Sequence, residues 1–218
     1  FISTTKITAE PSGDVQGKGN ISVMATIMNG SNKEDDLCLE VTIIARNGLR
    51  LSSFSSPVVK TASGIVELEA KGVVDGIEAW SPENPYLVDV EISLSKNDIR
   101  IDQLVKRTGF RKIAIKDSVL YINGQKAFLL GFNRHEDSPR TGMAVDLEQA
   151  RRDFIRMKEA GCNYVRFCHY PHHPGELDLC DELGLYVLAE NAMNEWGHVD
   201  HPAPNPGFRL DPGDAPLI

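Results

Sequence analysis

Residues 163–174, with the sequence NYVRFCHYPHHP, decide which fold and function the chain is predicted to have. The stretch begins with apolar side chains typical of a buried strand, and it becomes polar and cationic where two prolines interrupt it. The polar and cationic side chains are those of Arg166, His169, Tyr170, His172 and His173. Such a strand end indicates delivery of side chains to a site, and the alternative is a buried strand that runs into an ordinary proline-rich loop. The flanking segments decide between the two.

The size and charge of the chain set outer limits on its function. With 218 residues, 41% of them hydrophobic, the chain can form one large domain or two of ordinary size. A net charge of -8 without a block of like charges argues against a nucleic-acid partner. No apolar run approaches the roughly 18 residues of a membrane-spanning helix, so we expect no membrane partner. Because the chain begins at Phe1 rather than Met, its localisation stays open between the cytoplasm and the periplasm or exterior.

The four cysteines are predicted to be buried free thiols. Cys38, Cys162, Cys168 and Cys180 fall within predicted strands and helices, and their spacing contains no CxxC pair. The pattern is therefore typical neither of a disulfide framework nor of a zinc site.

The first half of the chain has the pattern of an all-β sandwich. Apolar and polar residues alternate at 21–27, 37–43 and 88–94, as expected for half-buried strands, and turn residues separate them. This half contains no histidine, and we expect its carboxylates, including Asp35, to be solvated. Trp80 is predicted to anchor a proline-rich crossover rather than to serve as a platform for a sugar.

The second half changes to alternating strands and helices. Asn–Gly turns between apolar runs favour hairpins, and Asp or Pro at a helix start and Gly after its end mark helix boundaries. The sequence predicts a hairpin at Asn123–Gly124, a helix from Asp146 to Gly161, the strand of the opening stretch, a helix from Pro174 to Gly184 and a strand at 185–190. This order is typical of a parallel sheet covered by helices.

Polar clusters follow each of three predicted parallel strands, at residues 133–137, 166–173 and 190–196. Because the carboxyl ends of parallel strands meet at one edge of a sheet, the three clusters should converge. The convergence favours a site over an ordinary loop at the end of the opening stretch.

Several ordered motifs resemble the glycoside hydrolases of family 2, the β-galactosidase and β-glucuronidase type enzymes. The motifs are GFR at 109–111, LYING at 120–124, GFNRHE at 131–136, NYVRFCHYP at 163–171 and LCDELGLYV at 179–187. WSPENPY at 80–86 also resembles the end of the sandwich in this family, which extends the resemblance to the first half.

The resemblance implies a multidomain fold of β plus α/β type. Family members have a jelly roll, then an immunoglobulin-like β-sandwich, then a (β/α)8 TIM barrel. We expect residues 1–112 to form the immunoglobulin-like sandwich and residues 113–218 to form a truncated TIM barrel with strands 1–3. The implied activity is hydrolysis of terminal β-linked sugars by a retaining two-carboxylate mechanism, with a β-galactoside or related glycan as the carbohydrate partner.

The resemblance also implies which residues contact the sugar. His135, Arg166 and His169 fall where the family binds the sugar at the non-reducing end, and Asn133 and Asp137 are weaker candidates. The acid/base Glu of an Asn–Glu pair and the nucleophile Glu are expected after Ile218, so no catalytic residue is assigned here. We therefore expect this chain to be inactive by itself.

A second Asn–Glu pair lies at Asn194–Glu195, but it comes too soon after the third strand to be the acid/base pair. Family members that bind magnesium use a Glu-x-His at this level, where this sequence has Asn194, Glu195 and Trp196. No cofactor or metal is therefore assigned to the chain, and a magnesium or sodium ion stays open for the full-length enzyme.

Two other functions remain open, as does association of the chain with a second copy of itself. The chain could be a non-catalytic carbohydrate- or protein-binding module, or a metal-dependent hydrolase built on His135, His169, His172, His173 and His198. Three parallel strands also leave an unpaired edge and an uncovered apolar face, which predicts association into a homo-oligomer or weak protection of this half.

Overall fold

The computed structural model describes residues 1–13 and 17–191. The strands of this part are β1 (Ile2–Pro11), β2 (Lys18–Asn29), β3 (Asp35–Ala45), β4 (Arg50–Ser55), β5 (Val59–Thr61), β6 (Gly64–Asp75), β7 (Val88–Lys96), β8 (Ile99–Thr108), β9 (Ile113–Lys116), β10 (Val119–Ile122), β11 (Gln125–Lys126), β12 (Gly131–Arg134), β13 (Tyr164–Phe167) and β14 (Tyr186–Ala189). The helices are α1 (Leu147–Glu159) and α2 (Pro174–Leu183). Neither of these helices is long and apolar enough to cross a membrane.

The strands β1 to β8 form a sandwich of two antiparallel sheets. One sheet has the order β1-β2-β6, and the other has the order β4-β3-β7-β8, with β5 added to β3. Alternate residues of β2, β3 and β7 are buried, because successive side chains of a strand point to opposite faces. Their inward side chains, such as Val23, Val41 and Ile92, form one apolar core between the sheets. The sandwich predicted from the alternating pattern is confirmed.

Asp35 is buried rather than solvated, so the expectation for this carboxylate was wrong. Its side chain is 7% exposed, and Oδ2 lies 2.9 Å from Lys96 Nζ. Asn97 Nδ2 donates a hydrogen bond to Oδ1 at 3.1 Å. The contact with Lys96 is the largest influence that lowers the pKa of Asp35. Lys96 and Asn97 follow Asp35 by more than sixty residues, and the local sequence gives no sign of this pairing.

A three-stranded antiparallel meander, β9 to β11, leads from the sandwich to the second half. Asn123 and Gly124 form the turn between β10 and β11, and both have positive φ, at 50° and 78°. Asn and Gly tolerate this conformation, which explains why they occupy a tight hairpin turn. The predicted hairpin is confirmed.

The second half is a parallel sheet of order β12-β13-β14 with α1 and α2 against one face. Val165 and Phe167 of β13 pack into an apolar core with Phe154 of α1 and Cys180 of α2. Because side chains alternate along a strand, Arg166 lies on the opposite face of the sheet. In a barrel, that face is the interior.

Both helices begin and end where the sequence predicts. Asp146 caps α1 by accepting a hydrogen bond from Gln149 N at 3.1 Å, and Gly161 follows the helix with φ of +83°. α2 begins at Pro174 and is capped by Gly184 in the left-handed conformation, with φ of +77°. Glycine is the residue that adopts this conformation without steric cost.

Trp80 joins the sandwich to the second half. Its side chain is 1% exposed, and Nε1 donates a hydrogen bond to Asp181 O of α2 at 2.9 Å. The ring meets Tyr186 edge-on at 5.4 Å, and the Arg111 guanidinium lies 5.2 Å from the ring centroid. Trp80 therefore anchors the crossover, as predicted, and it is too buried to be a platform for a sugar.

Apolar side chains remain exposed on and around the parallel sheet. Phe128, Leu130, Phe132 and Leu188 each expose between 45% and 79% of their surface. These side chains are in keeping with the predicted uncovered face, and association with a second copy stays a prediction.

We expect Gly184→Ala to destabilise the chain more than Gly161→Ala. Both glycines follow a helix with positive φ, so each substitution carries a similar backbone cost of about 1–2 kcal/mol. A Cβ at Gly184 would also lie 2.4 Å from Pro82 O, whereas a Cβ at Gly161 would meet no atom within 4 Å. The free energy of unfolding in urea should fall by at least about 1 kcal/mol more for Gly184→Ala. Equal losses would contradict the close packing of α2 on the crossover.

Candidate functional site

The parallel register brings three strand ends to one edge of the sheet. Arg134, Phe167 and Ala189 are the last residues of β12, β13 and β14, and they lie side by side in the register. The segments that follow them therefore begin together, at 135–137 and 168–173. The predicted convergence is confirmed for these segments and for Glu190, while residues 192–196 lie outside the described part of the chain.

The Glu190 carboxylate holds two of the predicted site residues. Its Oε1 accepts a hydrogen bond from Arg166 Nε at 2.8 Å and forms an ion pair with Arg166 Nη2 at 2.5 Å. Its Oε2 lies 3.2 Å from His169 Nδ1. The side chains of Glu190, Arg166 and His169 are 25% to 30% exposed, so the group is accessible from the edge of the sheet. One carboxylate thereby fixes a guanidinium and an imidazole in one place.

Asn133 and His135 lie beside this group on the neighbouring strand and loop. Asn133 Oδ1 accepts a hydrogen bond from Arg166 Nη1 at 3.3 Å. The exposed ring of His135 meets the His169 ring edge-on, with 5.1 Å between the centroids. The structure thus brings together His135, Arg166, His169 and Asn133.

Asp137 does not join the group. It is exposed on the loop after β12. None of the hydrogen bonds or ion pairs found among residues 1–13 and 17–191 connects its carboxylate to the other predicted site residues. Its role in the site stays a prediction.

A second carboxylate, Glu176, organises the layer beneath the site. It lies in the first turn of α2 and is 1% exposed. Its Oε1 accepts from Arg134 Nη1 at 2.6 Å, and its Oε2 lies 2.9 Å from His172 Nδ1. The positive end of the helix dipole also favours a carboxylate in this turn. These contacts supply the countercharge and hydrogen bonds that a buried carboxylate requires.

His172 is a packed, structural residue of the loop. Its ring stacks on Phe167 with a centroid distance of 4.3 Å, and Nε2 lies 3.3 Å from Cys168 O. His173 caps α2, with Nδ1 accepting from Gly175 N at 3.0 Å. Both rings thus make structural contacts within the loop and with the start of α2.

The loops of the site are also tied to one another. Glu136 Oε1 accepts from His173 N at 2.6 Å, and Glu136 N donates to Tyr170 Oη at 3.1 Å. Segment 135–137 is therefore fixed against segment 168–173 by two hydrogen bonds.

The sequence placed Glu136, Tyr170 and Glu190 in the converging clusters but gave them no role, and Glu176 was not predicted to belong to the site. Glu190 carried a usable signal, because it directly follows the last residue of the third strand. Glu176 carried none, since a Glu in the first turn of a helix is ordinarily exposed. Its burial depends on Arg134, which is 42 residues away in sequence.

Two groups of side chains in the described residues have donor atoms close enough to hold a metal ion. One consists of His135, Cys168 and His169, and the other of Glu136, His172 and Glu176, with donor atoms within 4.8 Å of one another. In the second group, the carboxylates already accept from Arg134 and from the His173 amide. The five histidines of the metal-hydrolase hypothesis do not form one cluster among the described residues, and His198 lies outside them.

Two family models match the chain. The model described as glycosyl hydrolases family 2 matches residues 1–111, and the model for the TIM barrel domain of the same family matches residues 113–205. The chain belongs to glycosyl hydrolase family 2. The fold predicted from the resemblance, a sandwich followed by the first strands of a TIM barrel, is confirmed.

Curated relatives of this family 2 chain are named as β-galactosidases. The relative from Yersinia enterocolitica is 43% identical over 119 residues, which are 54% of this chain and 11% of the relative. The relative from Kluyveromyces lactis is 40% identical over 121 residues, which are 55% of this chain and 12% of the relative. The matched part of the chain therefore spans about an eighth or less of the length of these relatives.

Solved structures of family 2 proteins share the fold. A family 2 member from Bacteroides cellulosilyticus matches with a TM-score of 0.78 at 26% identity, over 86% of this chain and 26% of that chain. A β-glucuronidase from Bacteroides uniformis matches with a TM-score of 0.73 at 28% identity, over 86% of this chain and 22% of that chain.

We expect Glu176→Gln to destabilise the second half strongly. The substitution removes the negative charge beside Arg134 and costs about 3 kcal/mol, the lower end for breaking a buried ion pair. The lower end applies because Asp153 still lies 3.7 Å from Arg134. Asp178→Asn is the matched control, since Asp178 is exposed on the same helix, and it should change stability by less than about 0.5 kcal/mol. Urea denaturation that shows similar losses for both variants would contradict the buried network.

Proposed function

We propose that the chain is part of a glycoside hydrolase that removes terminal β-linked sugars, with β-galactosides as the substrate class. In this proposal the chain supplies side chains that bind the sugar. One observation carries it: the Glu190 carboxylate fixes Arg166 and His169 beside His135 at the carboxyl ends of parallel strands. In barrel enzymes, the active site is built at this end of the strands.

The chemistry of the group suits a sugar. Guanidinium and imidazole groups hydrogen-bond hydroxyl groups, and the bonds to Glu190 and Asn133 hold Arg166 in one orientation. Glycoside hydrolysis passes through an oxocarbenium-like transition state, in which hydrogen bonds to sugar hydroxyls become stronger. Donors that are already in place contribute more to such a state than donors that must first be ordered.

The β-galactoside substrate is proposed from the relatives. The curated relatives that are about 40% identical are named β-galactosidases, whereas the solved β-glucuronidase is 28% identical. A glucuronide carries a carboxylate and a galactoside does not, so a cation dedicated to the sugar carboxylate would favour the glucuronide. Arg166 is already paired with Glu190, which supports the neutral sugar.

The reactive carboxylates are proposed to lie outside this chain. A retaining mechanism requires two carboxyl groups about 5–5.5 Å apart, as nucleophile and acid/base. Glu190 and Glu176 are each engaged by cationic or imidazole side chains, so neither is proposed for these roles. The family resemblance implies that both catalytic residues follow Ile218, and we propose the same here. Asn194–Glu195 lies outside the described residues, and we propose no catalytic role for it.

The test uses the protein expressed from the complete gene, assayed with nitrophenyl β-galactoside and nitrophenyl β-glucuronide. We expect the galactoside to be the better substrate. Arg166→Lys and His169→Gln should each lower kcat/KM by about 10- to 150-fold, the equivalent of one hydrogen bond between charged and polar groups. Arg152→Lys is the control, because Arg152 is exposed on α1 and contacts Gln149 there.

Two results would contradict the proposal. If Arg166→Lys and His169→Gln both have the kcat/KM of the wild-type protein, these residues do not bind the sugar. Absence of hydrolysis of any β-glycoside by the wild-type protein would overturn the proposed activity.

A further inference from the structure

His135, Cys168 and His169 form a cluster with the chemistry of a metal site. One nitrogen of each histidine and the Cys168 sulfur lie within 4.8 Å of one another. Two imidazoles and a thiolate are a ligand set that zinc prefers, with Zn–N near 2.0–2.1 Å and Zn–S near 2.3 Å. In a tetrahedral site these ligand atoms lie about 3.3–3.6 Å apart, so a closure of no more than about 1.5 Å completes the set.

The surroundings allow that closure. The exposed His135 side chain can rotate towards the other two ligands, while Cys168, at 1% exposure, forms the floor. The Cys168 thiol donates a hydrogen bond to Arg134 O at 3.3 Å, which fixes the sulfur at the end of β12.

Glu190 supplies the support that zinc-binding histidines have. Its Oε2 lies 3.2 Å from His169 Nδ1. In many zinc sites, a carboxylate accepts a hydrogen bond from one ring nitrogen, and this bond orients the ring so that the other nitrogen binds the metal. The contact of Glu190 with His169 Nδ1 orients the His169 ring in this way.

We propose that His135, Cys168 and His169 form a binding site for Zn²⁺ that overlaps the sugar site and makes the enzyme sensitive to zinc. On binding, the Cys168 thiol releases its proton to solvent, and the thiolate and two neutral imidazoles bind the metal. Zinc is redox-inactive, so the step requires no oxidant or reductant. Competition with the sugar rests on the proposed function, whereas binding of the metal does not.

The test is calorimetric titration of Zn²⁺ into the protein expressed from the complete gene, after chelation and in excess Mg²⁺. We expect one Zn²⁺ per chain and binding weakened by at least about 100-fold in Cys168→Ser and His135→Gln. Replacing a side chain that hydrogen-bonds a metal ligand ordinarily lowers metal affinity by about 10- to 100-fold. We expect a loss of zinc affinity in that range for Glu190→Gln. Cys38→Ser is the matched control, because Cys38 is a half-buried thiol in the sandwich.

Titration with Co²⁺ gives a second readout that does not depend on any variant folding. Co²⁺ bound by a thiolate and imidazoles gives a thiolate-to-metal absorption band, which we expect in the wild type and in Cys38→Ser. Absence of this band from the wild type, or equal zinc affinity in the wild type and Cys168→Ser, would overturn the metal site.

A non-hydrolysed thiogalactoside separates the metal site from the proposed function. We expect saturating thiogalactoside to weaken zinc binding and zinc to inhibit competitively. If zinc binding depends on Cys168 but is unaffected by the thiogalactoside, the metal site is supported and its overlap with the sugar site is contradicted.

Discussion

The parallel register of β12, β13 and β14 is the constraint on which the candidate site depends. It places Arg134, Phe167 and Ala189 side by side, so the residues that follow them meet at one edge. Gly131 makes this register possible, because a Cβ there would lie 1.7 Å from Tyr164 O. A slip by one residue would exchange the two faces of β13 and turn Arg166 towards the helices.

Two carboxylates convert this register into a fixed arrangement of side chains. Glu176 lies buried below the edge with Arg134 and His172, and it holds the loop after β13 from beneath. Glu190 lies at the edge and holds Arg166 and His169 from the side. The buried contacts of Glu176 stabilise the loop, and the half-buried contacts of Glu190 orient Arg166 and His169, which we propose bind the sugar. A preorganised site of this kind needs little rearrangement when charge develops in a substrate.

Local patterns predicted the elements well, since each pattern has a local physical cause. Alternating apolar residues predicted the sandwich, Asn123–Gly124 predicted a hairpin, and Gly161 and Gly184 predicted the helix ends. His135, Arg166 and His169 were identified through the family resemblance together with their positions after the strands. The structure brings these three together, and their contact with a sugar is still to be tested.

The carboxylates that organise the site were harder to predict, because their partners are distant in sequence. Glu190 contacts residues 21 and 24 positions earlier, and Glu176 contacts Arg134, which precedes it by 42. Asp35 is the same case in the sandwich, where Lys96 makes burial of a carboxylate acceptable. A local pattern shows that a residue is charged, but the fold decides whether the charge is paired.

The most direct measurement is a crystal structure of the protein from the complete gene with a non-hydrolysed β-galactoside bound. We expect sugar hydroxyls within hydrogen-bonding distance, about 2.7–3.2 Å, of Arg166 and His169, with His135 beside the sugar ring and Glu190 still in contact with both Arg166 and His169. A galactoside bound away from these side chains, or a Glu190 carboxylate that contacts neither Arg166 nor His169, would contradict this expectation.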